Sequence, residues 1–301
     1  MDELARELAA KARGVVLRDE SMTKHTTFGV GGPADLFLTP ADEADLTLML
    51  RLLYQAEVPV RILGNGSNLL VADRGVRGAV IRLAPQFARV AREGNTLVAG
   101  AGATLARAVH VAAEAALSGL ESTLGIPGTI GGALVMNAGT DVGSISDLVE
   151  SAVFLTGAGE RVEKSIEQLC YRYRHSALQD GDLIVLEARL RLAHGDRETI
   201  EAKMARLRQK RTSRQPVGRR TAGSTFKNPP DIAAGKLLDR SGCKGGRIGG
   251  AQVSDVHANF IIANPGATAA DILALARWMQ HRVRAEFDRE LEMEIEKVGE
   301  F

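Results

Sequence analysis

The segment Gly125-Ile-Pro-Gly-Thr-Ile-Gly-Gly-Ala-Leu-Val-Met-Asn-Ala-Gly139 constrains this chain more than any other. Five of its fifteen residues are glycine, and most of the remainder are apolar. A flexible linker would instead be rich in serine and charge. Glycine serves where backbone takes positive φ or comes very close to something else, and apolar neighbours imply burial while it does so. Buried N–H groups need acceptors, which a ligand with many oxygens supplies. Two readings stand: main chain wrapped around a large cofactor, or a glycine-rich buried turn.

Other glycine clusters decide what kind of cofactor site is possible. A helix-like start over residues 1–13 leads to Thr26-Thr-Phe-Gly-Val-Gly-Gly-Pro33, and a strand is expected at 34–38. A helix over 40–56 follows, with Leu46, Leu50 and Leu53 on one face. Branched residues predict a buried strand at 58–63, running directly into Gly64-Asn-Gly-Ser-Asn-Leu-Leu70. Strand then glycine turn is the usual setting for phosphate binding. The dinucleotide fingerprint fails, however, because Leu69 and Leu105 stand where the third glycine belongs after Gly64-x-Gly66 and Gly100-x-Gly102. No GxxxxGK[ST] occurs either. The turn still offers N–H donors, a hydroxyl and an amide, a set suited to a pyrophosphate without a following helix dipole. An ordinary Asn/Gly turn between strands is the competing explanation.

Downstream, strands are expected at 71, 79–83, 147–155, 183–192, 257–263 and 291–298, and a hairpin over 88–100 turning at 93–95. Helices are expected at 104–116, from 197 to about 211, at 235–241, and from 268 to 287. Thr268-Ala-Ala-Asp271 reads as a capping box for the last of these, whose apolar stripe is Ile272, Ala276, Met279, Val283 and Phe287. Arg172 and Arg174 lie two apart, so on a strand they would share a face, with ordinary surface pairing as the competing explanation. The final strand alternates Leu291, Met293 and Ile295 against Glu292, Glu294 and Glu296.

Several function classes are disfavoured. With 45% hydrophobic and 25% charged residues and a net charge of +1, the chain reads as a soluble globular protein with no global pull toward nucleic acid or membrane. No apolar run approaches a membrane span. Cys170 and Cys243 form no CxxC and fit a reducing compartment; the expected location is the cytoplasm. The six histidines show no metal-ligand spacing, so no metal is expected. Residues 208–220 hold six basic residues and no acidic one, and mark a domain boundary. The run has no aromatic residue on which bases could stack.

The motifs gain meaning from their order. From about residue 26 to 299 the chain resembles the UDP-N-acetylenolpyruvoylglucosamine reductase family. The likeness rests on Thr-Thr-Phe-Gly-x-Gly-Gly, Gly-x-Gly-Ser-Asn-Leu-Leu, Gly-Ile-Pro-Gly-Thr-x-Gly-Gly-Ala-x-x-x-Asn-Ala-Gly and Tyr-Arg-x-Ser. It continues in Gly-Ser-x-Phe-Lys-Asn-Pro, Gly-Ala-Gln-Val-Ser and Leu-Glu-x-Glu-Ile.

The resemblance implies an α+β fold: a vanillyl-alcohol-oxidase-type FAD-binding region of two subdomains, 1–80 and 81–213, and a C-terminal α+β substrate domain, 214–301. It implies FAD as cofactor and NADPH as reductant, with UDP-N-acetylglucosamine enolpyruvate reduced to UDP-N-acetylmuramate for peptidoglycan synthesis. Hydride would pass from flavin N5 to C3 of the enolpyruvyl group. By motif, Gly64, Asn65, Gly66, Ser67 and Asn68 would face the FAD pyrophosphate. Ile126, Pro127, Gly128, Gly131, Gly132, Asn137 and Gly139 would wrap the rest of the cofactor. Arg174, Ser224 and Glu294 would be catalytic, with Ser224 protonating C2; pattern alone leaves Glu292, Glu294 and Glu296 equivalent. Tyr173, Arg214, Asn228 and Gln252 would contact substrate, Arg214 standing where some members carry lysine. The short interval between Arg174 and Ser224 resembles the shorter family form, which lacks a tyrosine-bearing loop. A monomer is expected. Two other functions compete: another flavin oxidoreductase on the same scaffold, or a nucleic-acid-binding protein using the 208–220 run.

Overall fold

The computed structural model describes residues 1–83 and 85–301. They gather into two compact units, each visited by the chain more than once. The first comprises Met1–Arg18, Leu36–Asn65 and Gly78–Lys210; the second comprises Asp19–Asp35, Gly66–Arg77 and Arg211–Phe301. The three-part division expected from sequence follows family motifs, whereas spatial compactness gives two interleaved units.

A five-stranded antiparallel sheet forms the centre of the first unit. Its strands lie in the order Arg161–Ser165, Val149–Leu155, Ile184–Arg191, Thr96–Gly100 and Val90–Glu93. Val90–Glu93 and Thr96–Gly100 form the expected hairpin. Its two-residue turn needs φ of 62° at Gly94, which glycine adopts without strain. The helix Leu105–Glu114 begins at Thr104, whose hydroxyl accepts the Arg107 N–H, and it buries Leu105, Ala108, Val109 and Ala112. The helix Glu43–Gln55 is capped by Asp42, and Leu46, Leu50 and Leu53 all reach the core.

Two expectations need correction here. A second sheet has the order Val15–Ser21, Pro33–Thr39, Val76–Arg82, Val60–Leu63. The strand expected at 58–63 starts at Val60, pairs on one side only, and leaves Val60 38% exposed. Branched residues reported strand there, but an edge position keeps it half-wet. Val15–Ser21 and Arg161–Ser165 were not anticipated; both end their sheets and are largely exposed or half-buried, so neither carries the alternation that burial imposes.

In the second unit the helix Ala269–Phe287 packs on a three-stranded antiparallel sheet, Arg247–Ile248, Ala251–Val253 and Ile261–Ala263. Ile272, Ala276, Met279 and Val283 are fully buried among Phe226, Leu237 and Leu238. The capping box at Thr268 and Asp271 is present, and the Asp73 carboxylate accepts the N–H groups of Ala269 and Ala270 at 2.8 and 2.9 Å. Leu69–Val71 pairs in parallel with Glu296–Val298.

The strand expected at 291–298 is shorter because the segment changes partner halfway. Met293 bridges to Phe226, the chain bends at Ile295, and only Glu296–Val298 pairs with Leu69–Val71. The strand expected at 257–263 is Ile261–Ala263. The Ser254 hydroxyl accepts the N–H groups of Val256 and His257, turning the chain before extension resumes.

Candidate active site

The glycine-rich segment folds as a short helix, Ile130–Met136, started by the Thr129 hydroxyl, which accepts the Gly132 N–H. Ile130, Gly131, Ala133 and Leu134 are buried, while Gly125, Pro127 and Gly132 are exposed. The expectation of uniform burial therefore holds for one face only. Gly131 is tightly packed, since a Cβ would stand 3.0 Å from that of Ala101. Gly132 is not so constrained: a Cβ there would meet only the Thr129 hydroxyl, at 3.6 Å. Its bare surface is available to a ligand. The helix ends at Asn137, buried and left-handed at φ 45°.

A second segment ties itself to this helix end. The Asn137 side chain donates to the Arg172 carbonyl at 2.9 Å, and the Ser176 hydroxyl donates to Val135 at 2.7 Å. The Arg174 guanidinium donates to the carbonyl oxygens of Gly139 at 2.8 Å and Asn137 at 3.4 Å. Its carbon lies 5.1 Å from the centre of the Tyr173 ring, within cation–π range. Residues 172–175 form a tight turn closed by an Arg172–His175 bridge, with Arg174 at φ 52°. Arg172 and Arg174 thus do not share a strand face: the turn leaves Arg172 exposed and Arg174 half-buried. A cavity of about 260 Å³ opens here, lined by Asn137, Gly139, Thr140, Ser144, Tyr173 and Arg174 among others. Thr140 and Ser144 were not singled out in the sequence; the Ser144–Asp147 capping box was their available signal.

The 64–68 turn meets the requirement for an acceptor-rich ligand. Among the described residues, no protein acceptor takes the main-chain N–H groups of Asn65, Gly66, Ser67 or Asn68. Gly66 is buried at φ 59°, and a Cβ on it would lie 2.1 Å from the His25 oxygen. Gly64 is equally cramped, a Cβ meeting the Thr129 hydroxyl at 2.6 Å. Consecutive unpaired donors in a cramped turn fit a pyrophosphate. Asn68 has an additional job: its side chain donates to the Glu294 carbonyl at 3.0 Å, and its own carbonyl accepts the Glu296 N–H at 2.9 Å.

In the second unit Ser224 follows Gly223, whose φ of 79° turns the chain. Ser224 is half-buried, and its hydroxyl has no partner among the described residues. The next residues run antiparallel to the glutamate segment. Glu294 donates its N–H to Thr225 at 2.9 Å, and Lys227 donates to Glu292 at 2.9 Å. The three glutamates are no longer equivalent. Glu292 is exposed and paired with Lys227 at 2.6 Å, whereas Glu294 and Glu296 are half-buried. Asn228 is exposed, its side-chain oxygen accepting the Ala234 N–H. Gln252 donates to Asp255 and accepts from Asn264, each at 3.3 Å. Arg214 is exposed at the end of the helix Arg197–Arg214, which extends three residues beyond expectation. Asn259, absent from every motif, grips Phe226 from its other side.

Comparison with known proteins bears on the family and the fold. A family model described as an FAD binding domain matches residues 34–165, and one described as the UDP-N-acetylenolpyruvoylglucosamine reductase C-terminal domain matches 215–298. The UDP-N-acetylenolpyruvoylglucosamine reductase of Geobacter metallireducens is 46% identical over 299 residues, 99% of each chain. The crystal structure of the UDP-N-acetylenolpyruvylglucosamine reductase from Thermus caldophilus aligns with a TM-score of 0.82 and 41% identity, covering 95% of this chain and 99% of that one. A berberine bridge enzyme variant, a reticuline dehydrogenase, aligns with a TM-score of 0.51 and 15% identity, over 64% of this chain and 44% of its own. At that distance it speaks for the fold alone, the vanillyl-alcohol-oxidase type of FAD-binding architecture. The near-complete match in sequence and structure makes this chain a member of the UDP-N-acetylenolpyruvoylglucosamine reductase family.

Proposed function

We propose that this chain is a flavoenzyme that reduces UDP-N-acetylglucosamine enolpyruvate to UDP-N-acetylmuramate with NADPH, a step of peptidoglycan precursor synthesis. One observation carries the reading beyond generic flavin chemistry. Within the span of the family's C-terminal model, Ser224 and Glu294 lie on adjoining segments joined by the Glu294–Thr225 hydrogen bond. Another flavin oxidoreductase would have no use for that pair.

FAD, when bound, would supply the hydride chemistry that links NADPH to C3 of the enolpyruvyl group. The chain's own residues do the rest. The N–H groups of the 65–68 turn take the pyrophosphate, with Gly64 leaving room beside Thr129. Ile126, Pro127, Gly128, Gly131, Gly132, Asn137 and Gly139 line the remainder of the cofactor. Negative charge building toward C2 and the carboxylate needs fixed donors in a dry site. Arg174 fits that need, since its guanidinium is already tethered to the Gly139 carbonyl. The Ser224 hydroxyl donates its proton to C2; a weak acid suffices when it is aimed at a strongly basic carbon. Glu294, protonated, polarises the same charge. Tyr173, Arg214, Asn228 and Gln252 hold the nucleotide-sugar.

Nucleic-acid binding through residues 208–220 has less support. Lys210 pairs with Asp141 at 2.6 Å, and Arg219 donates to Asn264 at 3.1 Å, so these cations are engaged within the protein. No helix among the described residues is long and apolar enough to cross a membrane. We propose a monomer that works in the cytoplasm, where NADPH and nucleotide-sugars are both at hand.

The test is Ser224→Ala. Flavin reduction by NADPH stays intact, while turnover of the enolpyruvyl substrate falls by about 10²–10⁴-fold, as for loss of a general acid. Unchanged turnover removes Ser224 from the mechanism. A colourless protein that cannot be reconstituted with FAD ends the reading altogether.

A further inference from the structure

We propose that Asn259 is the positioning residue for Ser224, holding the Thr225–Phe226 main chain in register against the Glu294 segment. The inference rests on the functional reading above and assigns a role to a residue outside the motifs quoted above.

An extended segment needs main-chain partners on both sides. Residues 225–227 find one partner in 292–294. On the other side, among the described residues, Asn259 stands where a strand would be. Its carbonyl accepts the Thr225 N–H at 2.8 Å, its side-chain oxygen accepts the Phe226 N–H at 2.9 Å, and its side-chain nitrogen donates to the Phe226 carbonyl at 2.8 Å. A side-chain amide presents the same donor and acceptor as a peptide group. Asn259 therefore replaces one residue of an absent strand, making the two-bond exchange of an antiparallel pair. It is 2% exposed, and its own N–H is held by the His257 ring at 3.2 Å.

This anchor matters because the opposite side of Ser224 is loose. Gly223 at φ 79° has nothing within 4 Å of where a Cβ would stand. The position of the Ser224 hydroxyl is thus set from its C-terminal side, through Thr225 and Phe226. Phe226 is fully buried, so its main-chain groups have no water to replace the amide. Release of that grip lets the segment shift toward the glycine. A shift of about 1 Å in a reacting group costs about 10²-fold in rate.

Two variants of the full-length holoenzyme test this in separate anaerobic half-reactions. Asn259→Leu keeps the branching and the number of heavy atoms and removes both side-chain bonds. Asn259→Asp keeps the acceptor for Phe226 N–H but sets a carboxylate oxygen against the Phe226 carbonyl; protonation restores the missing donor, so this variant serves if the leucine form does not fold. In each, flavin reduction by NADPH stays within about twofold of the parent. Reoxidation by the enolpyruvyl substrate falls by about 10²-fold and gains a larger solvent deuterium isotope effect as proton delivery becomes limiting. In Asn259→Asp it recovers as pH is lowered, with an ionisation absent from the parent. Parent-like reoxidation overturns the proposal, as does an equal fall in both half-reactions, which marks a residue of the fold only. If the parent's own reduced flavin is not reoxidised by this substrate, the functional reading fails first and the positioning role falls with it.

Discussion

Asn68 donates its side-chain amide to the main-chain oxygen of Glu294, 3.0 Å away, and accepts the Glu296 N–H on its own carbonyl. The residue that closes the run of unpaired turn amides is thereby attached to the segment bearing the proposed catalytic glutamate. Asn68→Ala keeps the turn's main-chain donors and removes the bond to Glu294. Stability is expected to fall by about 1 kcal/mol, the net worth of one such bond. Flavin content stays near the parent's, and substrate turnover falls more than flavin reduction does. Loss of flavin with equal slowing of both steps would show that Asn68 acts through the cofactor alone.

The glutamates can be separated by substitution. Glu292 is exposed and paired with Lys227, so Glu292→Gln removes a surface ion pair worth under about 1 kcal/mol and leaves turnover near the parent value. Glu294→Ala is expected to lower turnover by about 10²–10³-fold, in the range for removing one preorganised donor. Steady-state rates on the two variants decide it, and the reverse ranking would move the role to Glu292.

Asp73 caps a helix from outside it. Its carboxylate takes the first two N–H groups of Ala269–Phe287, beyond those served by Thr268 and Asp271. Asp73→Ala should lower stability by about 1 kcal/mol. Urea titration would register this as a lower midpoint with unchanged slope. An unaltered midpoint would mean that Thr268 and Asp271 suffice.

Glu121 gives the fold an acid limit. It is 2% exposed. Burial alone would raise its pKa, but the Ser118 hydroxyl, the Gly119 N–H and nearby Lys203 outweigh burial and hold the carboxyl below the ordinary glutamate value. The folded state therefore favours the charged form. Its contribution is complete above the unfolded value of about 4.3 and disappears as pH falls through the lower folded value. Glu121→Gln should cost about 1–3 kcal/mol at neutral pH and flatten the loss of stability below pH 4. Thermal melts from pH 3 to 7 on both proteins would check this; parallel curves would exclude Glu121 as the source.

Much of this architecture was legible because burial writes periodicity into sequence. The stripe of Ile272, Ala276, Met279 and Val283 announced its helix, and Thr268 announced where it starts. Val15–Ser21 announced nothing: an edge strand with exposed charges has no buried face to impose alternation. The turn at 172–175 carries no turn signal in the sequence because its left-handed residue is Arg174, not glycine, held there by Gly139 and Asn137. Asn259 left no local trace, since a side chain standing in for a strand is defined by a partner thirty-three positions away. The glycine motifs pointed to a cofactor wall, but only the geometry separates Gly131, fixed by Ala101, from Gly132, open on its outer side.

The interleaved chain path has a consequence for biosynthesis. The second unit draws on Asp19–Asp35 and Gly66–Arg77 as well as Arg211–Phe301. Its early segments are locked to the late one: Leu69–Val71 to Glu296–Val298, Asp73 to Ala269, and Gly75 so close to Gly299 that a Cβ on Gly299 would lie 2.2 Å from the Gly75 oxygen. On the ribosome these early segments emerge long before their partners exist. Meanwhile the five-stranded sheet of the first unit can close once residue 191 has been made. Pairings at such separation are slow to form, so the nascent chain must carry Phe28 and Leu70, both fully buried in the finished protein, without cover until translation nears its end. A fragment ending at residue 211 would inherit the same defect permanently, and the complementary fragment would lack the strand Leu69–Val71 and the Asp73 cap that serve its glutamate segment and its helix.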